Sequence, residues 1–441
     1  MFGQLKRTFL LALPISSGHV SQMALSLADT LMIGKVGVVS LAGAAFANTL
    51  HHFMLITGFG LMSSVSILVA HAYGANRFKE AGEVLRRGLV MGVVGGFILF
   101  FAQWALFPFL SHLGQPPEVL EESWSYLWLL SASMPFVFAG SAFKNFAEAL
   151  NRPWPAFWCG LFAVILNVFL NWVLIYGNLG APELGLTGAG VATFLSRLAN
   201  LLFLYIWLRL DARFHPMWPV EWFKSVPLQG LYTLFKLGFP VGLQLLMEIG
   251  AFGSVTLLMG WIGVVEMAAH QIAITCAATT FMIPLGVSMA VAIRVGHSVG
   301  SGYSSESRLI GFSAVGAGII LSILSAALFI VFDKQLASLF TEDPNTRLVA
   351  ASLIRIAGLF QIFDGIQVIA MGALRGCKDV RVPTVIVFCA YWLLAIPIGA
   401  LLGFNAHLGA PGLWYGLMIG LGIAAAGLLW RFNAICGNST G

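Results

Sequence analysis

Apolar residues in this chain come in long runs, separated by short stretches where Arg, Lys, Asp, Glu, Gly and Pro collect. A run of about 20 residues is what an α-helix needs to cross the roughly 30 Å hydrocarbon core of a bilayer. Twelve such runs can be read, at 9–33, 40–70, 85–110, 123–150, 154–177, 184–209, 228–262, 263–299, 309–333, 346–374, 382–404 and 410–432. The longest must carry helix that lies outside the hydrocarbon. The pattern predicts an all-α polytopic membrane protein in contact with the lipid bilayer.

The runs also repeat. Shifting the chain by 226 positions lays Pro14 on Pro240, Gly34 on Gly260, Gly37 on Gly263, Gly60 on Gly286, His71 on His297 and Gly74 on Gly300. One offset shared by a proline, four glycines and a histidine over 61 positions is more than shared composition. A weaker match near offsets 222–225 pairs Gly140 with Gly365 and Gly190 with Gly412. Each repeat holds six spans, an even number, so both halves enter the membrane in the same sense. Such halves are related by an axis along the membrane normal, and a transport path is expected between them. The predicted organisation is a lobe over 1–210, a charged linker over 211–227 and a second lobe over 228–441.

Composition agrees with the pattern: 59% of the 441 residues are hydrophobic, 9% are charged, and mean hydropathy is +0.90. A soluble domain carries about 25% charged residues. The net charge of +5 could suggest a nucleic-acid partner, but its placement points to topology instead. With the N-terminus inside and the spans alternating, 17 of the 23 Lys and Arg residues fall on the cytoplasmic side. Only Lys35, Lys334 and Arg347 fall outside, and Lys144, Arg197 and Arg355 lie within spans. That asymmetry follows the positive-inside rule. It puts both termini in the cytoplasm, the loops at Gly114 and Gly180 outside, and those at Arg77, Lys224 and Lys378 inside.

Lys6 and Arg7 before an apolar stretch resemble a signal peptide. The run continues through Pro14 to Gly34 and recurs in mid-chain, so it is expected to stay. The five cysteines show no metal spacing, and the sequon Asn438-Ser439-Thr440 lies on the expected cytoplasmic tail.

A charge at the centre of a membrane helix costs about 2.5–3.5 kcal/mol on insertion scales, so acids retained there are candidates for function. Three stand out: Asp29 in the first run, Glu248 in the seventh and Asp364 in the tenth, with Gln361 and Gln367 on either side of Asp364. The repeat does not account for them, since Asp29 falls on Val255 and Glu248 on Gln22. Asn167 and Asn171 share one helix face and could ligate a cation or bind a neighbouring helix. Lys144 and Glu148, at the same spacing, read as a structural ion pair. Arg197 and Arg355 suit gating or structural pairing. No phosphate loop, nucleophile elbow or His-Glu-x-x-His sequence is present, and no soluble domain is there to hold a nucleotide. Energy for transport would come from an ion gradient, and no cofactor is expected.

The stretches Ala-Asp29-Thr-Leu-Met-Ile-Gly, Phe239-Pro240 to Glu248, and Ala269-His270-Gln271-Ile-Ala resemble the multidrug and toxic compound extrusion (MATE) family, in its NorM-like branch. So do Arg294-Val-Gly-His297, Asp364-Gly-Ile-Gln367 and Ala373-Leu-Arg375-Gly-Cys-Lys378-Asp379. The resemblance covers the whole chain. It implies two six-helix lobes forming a V around a central cavity, working as a monomer in a prokaryotic inner membrane. It also implies export of cationic amphiphilic drugs and dyes against entry of Na+ or H+. By position, Asp29, Asn167 and Asn171, with Thr193, correspond to a first-lobe cation site, and Glu248 with Asp364 to a second. Na+ could sit at either set. Asp29, Gln271, Phe360 and Asp364 are the implied substrate contacts. Some sodium-coupled relatives place a tyrosine one turn before the second-lobe aspartate, and Phe360 here lacks that hydroxyl. A rival within transport is a flippase for lipid-linked precursors, which would favour a basic cavity. A rival outside transport is a membrane scaffold, which gains nothing from a duplicated half.

Overall fold

The computed structural model describes residues 2–110, 116–219, 221–222 and 225–437. Gly114, Lys224 and the 438–440 sequon lie outside the described residues. Twelve long helices follow in chain order: α1 Phe2–Gly34, α2 Val38–Gly74, α3 Phe78–Leu110, α4 Pro117–Ala149, α5 Trp154–Tyr176 and α6 Gly185–Leu210. Then come α7 Leu228–Ile262, α8 Val264–Gly300, α9 Ser304–Val331, α10 Pro344–Gly376, α11 Arg381–Asn405 and α12 Ala410–Gly437. No strand occurs among the described residues. Among the described residues, eleven helices are both long and apolar enough to span a bilayer. The other is α1, long enough at 33 residues but made more polar by Ser16, Ser17, His19, Ser21, Gln22, Ser26 and Asp29. The chain is a multi-pass membrane protein.

Local chemistry explains departures from straight helix. At Ser133 α4 breaks, because Pro135 has no N–H to give and the Ser131 and Ser133 hydroxyls donate to the Leu127 and Leu130 carbonyls, both at 2.6 Å. Several helices outrun the apolar runs because their polar ends remain helical. In α3 the pairs Arg77–Glu80 (3.0 Å) and Glu83–Arg86 (2.8 Å) support a first turn that no hydrocarbon requires.

The repeat is visible in the backbone. Helix α2 ends with Asn76 at φ 57° and Arg77 N–H donating to Ala72 O at 2.8 Å. The equivalent end of α8 has Gly302 at φ 83° and Tyr303 N–H donating to Ser298 O at 3.0 Å. Both are left-handed caps, which Gly and Asn tolerate best. Asn76 and Gly302 are 226 positions apart.

Contacts divide the chain into two compact units, Ser17–Gly242 and Met1–Ser16 with Leu243–Gly441. Their boundaries, 16/17 and 242/243, are themselves 226 apart. The division runs inside α1 and α7, away from the 211–227 stretch. Within the Ser17–Gly242 unit, the start of α7 packs on α2 so closely that a Cβ on Gly60 would strike the Gly242 backbone. Within the other, the start of α1 packs on α8, where a Cβ on Gly286 would strike Ser16. Small residues permit this approach. Arg294 fixes the α1 segment further, donating to Gln4 O at 2.6 Å and to Thr8 Oγ1, while Gln4 Nε2 donates to Glu306 Oε1 at 2.7 Å.

Candidate functional site

In the Ser17–Gly242 unit, Asp29 projects from α1 toward α5. Asn171 Nδ2 donates to Asp29 Oδ1 at 2.5 Å and to Asn167 Oδ1 at 2.9 Å. Asn167 Nδ2 in turn donates to Thr193 Oγ1 at 3.3 Å and Ser196 Oγ at 3.2 Å on α6. Asn167 and Asn171 are 1% and 0% exposed, so the face they share is the buried face of α5. Among the described residues, Asn171 Oδ1 has no hydrogen-bond donor. A buried oxygen left bare costs about 1–3 kcal/mol, and this one lies beside a carboxylate. A cation would satisfy it. Arg197, one residue beyond Ser196, donates to Ser133 Oγ at 2.7 Å and meets His51 Nε2 at 3.0 Å. It also acts on Asp29 through space.

The second cluster lies in the other unit. Gln367 Nε2 on α10 donates to Glu248 Oε1 on α7 at 3.0 Å, and Tyr391 Oη on α11 donates to Gln367 Oε1 at 3.2 Å. Asp364 sits within electrostatic range of Glu248. Arg375, in the last turn of α10, donates to Gln244 Oε1 at 3.3 Å and acts on Glu248 through space. The two glutamines flanking Asp364 part ways. Gln367 holds Glu248, whereas Gln361 Nε2 donates to Ala277 O on α8 at 3.0 Å and to Thr280 Oγ1.

Of the other residues singled out, Phe360 is only 2% exposed, packed edge-on against Phe252 and Trp414 at centroid distances of 6.0 and 5.5 Å. Gln271 is exposed on α8, and its neighbour His270 is buried, meeting Thr256 Oγ1 at 2.9 Å. Lys144 and Glu148 pair at 3.7 Å, and Arg355 pairs with Asp333. Ser196 and Tyr391 belong to the clusters and escaped sequence reasoning, because neither costs much in a membrane helix. Ser196 lies three residues after Thr193 on the same helix face, a spacing that could have marked it. Tyr391→Phe removes the donor to Gln367 Oε1 and is expected to cost about 1–2 kcal/mol of stability. Thermal unfolding of the purified protein should show the loss, and an unchanged midpoint would contradict the bond.

The MatE family model matches residues 14–173 and again 240–401, two segments whose starts are 226 apart. A probable multidrug resistance protein NorM of Pseudomonas putida is 35% identical over 99% of this chain and 96% of its own length. A multidrug resistance protein NorM of Vibrio vulnificus is 32% identical over 96% of this chain and 94% of its own. Among solved structures, a MATE protein in a bent conformation superposes with TM-score 0.91 at 20% identity, covering 99% of this chain and 97% of that one. A Vibrio cholerae MATE transporter superposes at 0.90, also at 20% identity, covering 99% and 98%. The fold, the repeated match and the near full-length identity agree: the chain belongs to the MATE family of transporters, in its NorM-like branch.

Proposed function

We propose that this protein is a secondary active multidrug exporter that moves organic cations out of a prokaryotic cell in exchange for Na+ or H+, by alternating access. The NorM relatives bear multidrug resistance in their names, which supports the substrate class. The observation that carries the coupling is the pair of carboxylate–carboxamide clusters, one in each unit, with half-buried acids. Asp29, Asn167 and Asn171 offer a carboxylate and a bare amide oxygen to one cation. Glu248 and Asp364 offer two carboxylates to another, with Gln367 orienting Glu248. Asp29 and Asp364 also suit contact with cationic drug, and Gln271 offers an exposed amide to it. Phe360 lies in its aromatic cluster with Phe252 and Trp414.

The cycle follows from mutual exclusion. Cation entering on the carboxylates removes the negative charge that held the drug, so drug leaves outward. The ion then leaves inward and restores the charge. Exchanging one cation for a monovalent drug moves no net charge, whereas a second cation would add about 2.3 kcal/mol per 100 mV. Ethidium efflux from proteoliposomes, with the ion gradient varied, tests the reading. Export should rise with the imposed gradient and stop when it is dissipated. Efflux indifferent to every ion gradient would overturn it.

The topology proposed with this function has both termini in the cytoplasm. Reporter fusions at Gly180 should behave as external, and those at Arg77 and Lys378 as cytoplasmic. A cytoplasmic signal at Gly180 would break the arrangement.

A further inference from the structure

A groove of about 1010 Å3 opens between α5 and α6, lined by exposed residues of α5 rather than by the buried Asn167 and Asn171 of the same helix. Its walls are aromatic and aliphatic: Trp158, Phe162 and Ile165 from α5, and Phe203, Ile206 and Trp207 from α6. Trp158, Phe162 and Trp207 are 48%, 50% and 40% exposed, so the groove faces outward from the helix pair. Ligand pockets run to about 300–1,000 Å3, so this one is large.

Its polar end is at Asp211, where α6 stops. Arg213 grips that carboxylate with Nε on Oδ1 at 2.8 Å and Nη2 on Oδ2 at 2.6 Å. The grip holds Asp211 below the usual carboxylate range, and Arg152 adds to it through space. Arg152 stands just before α5, with its guanidinium over the Phe214 ring at 5.9 Å. Arg209 occupies the last turn of α6. The Arg213 and Arg152 guanidiniums therefore stand around one carboxylate that is already bonded, and Arg209 lies in the last turn of the helix that ends there. A cationic amphiphile would find no free acid there. An anion with apolar tails would find both of its needs met.

We propose that the α5–α6 groove is a binding site for an anionic phospholipid, with its acyl chains along the aromatic walls and its phosphate at Arg152 and Arg209. Basic pockets at one end of a membrane helix pair recognise such headgroups, and each nearby Arg favours them over zwitterionic ones. Assignment to the cytoplasmic leaflet rests on the topology proposed above, but the headgroup preference does not.

The test uses the full chain in nanodiscs with photoreactive acyl-chain analogues of phosphatidylglycerol and phosphatidylcholine. Mapped adducts should concentrate at 158–165 and 203–210, with phosphatidylglycerol labelling about tenfold stronger, equivalent to about 1.4 kcal/mol. In the variant Arg152→Gln/Arg209→Gln the two lipids should label nearly equally. Should that variant not fold, competition on the wild type decides: unlabelled phosphatidylglycerol should displace the label, and tetraphenylphosphonium should not. Equal labelling by both lipids in the wild type would overturn the proposal. So would adducts spread evenly over other helices, or displacement by tetraphenylphosphonium alone, which would mark a drug groove instead. Binding is read without any transport, so failure here leaves the export reading intact, and the reverse holds too.

Discussion

Glu248→Gln should reduce ion-driven export of a cationic dye by about a hundredfold. The amide keeps the size of the side chain and its bond to Gln367, and it removes the charge. Interactions with a charged group are worth about 1.5–3 kcal/mol, and 2.8 kcal/mol is a factor of about a hundred. Asp364 would then be the one carboxylate left in that cluster. Expression and thermal midpoint should stay near wild type. Dye efflux at matched protein levels checks it, and wild-type efflux from Glu248→Gln would remove this cluster from the coupling.

Asp29→Asn should do comparable damage for a different reason. Asn171 spends both amide hydrogens on Asp29 and Asn167, and its own oxygen is left bare. The aspartate is the only formal charge in that chain of side chains, so replacing it leaves a cluster that can still hydrogen-bond but cannot neutralise a cation. Export should fall by roughly tenfold to a hundredfold, within the same range for a charged partner. The distinction from a folding defect comes from Asn171→Ala. It removes the bonds and the bare oxygen together, so it should lower export and also lower the thermal midpoint, whereas Asp29→Asn should lower export alone. Equal loss of stability in both would mean that Asp29 serves packing.

The sequence reveals what hydrophobicity and glycine encode. Spans can be counted because hydrocarbon demands apolar length, and the repeat survives in glycines because Gly60 and Gly286 sit where a neighbouring chain leaves no room for a Cβ. The three acids were visible because charge is costly in a membrane. Partners that carry no such cost were not. Tyr391 and Ser196 look ordinary in apolar helices, and the direction of Gln361 depends on which of two neighbours offers a carbonyl. The grouping of Met1–Ser16 with residues far along the chain was equally hidden, since it rests on Arg294 reaching Gln4 and Thr8. The α5–α6 groove shows only in space, where residues some 40 positions apart form one wall.

The central claim is that ion and drug exchange obligatorily through these carboxylates. Its most direct measurement runs the transporter backwards from the usual assay. Proteoliposomes are loaded with dye and given no ion gradient, and movement of Na+ and of protons is followed as dye flows out. Wild-type protein should drive one of these ions inward against its own gradient, while Glu248→Gln protein should not. Dye leaving the wild type with neither ion moving uphill would contradict the account.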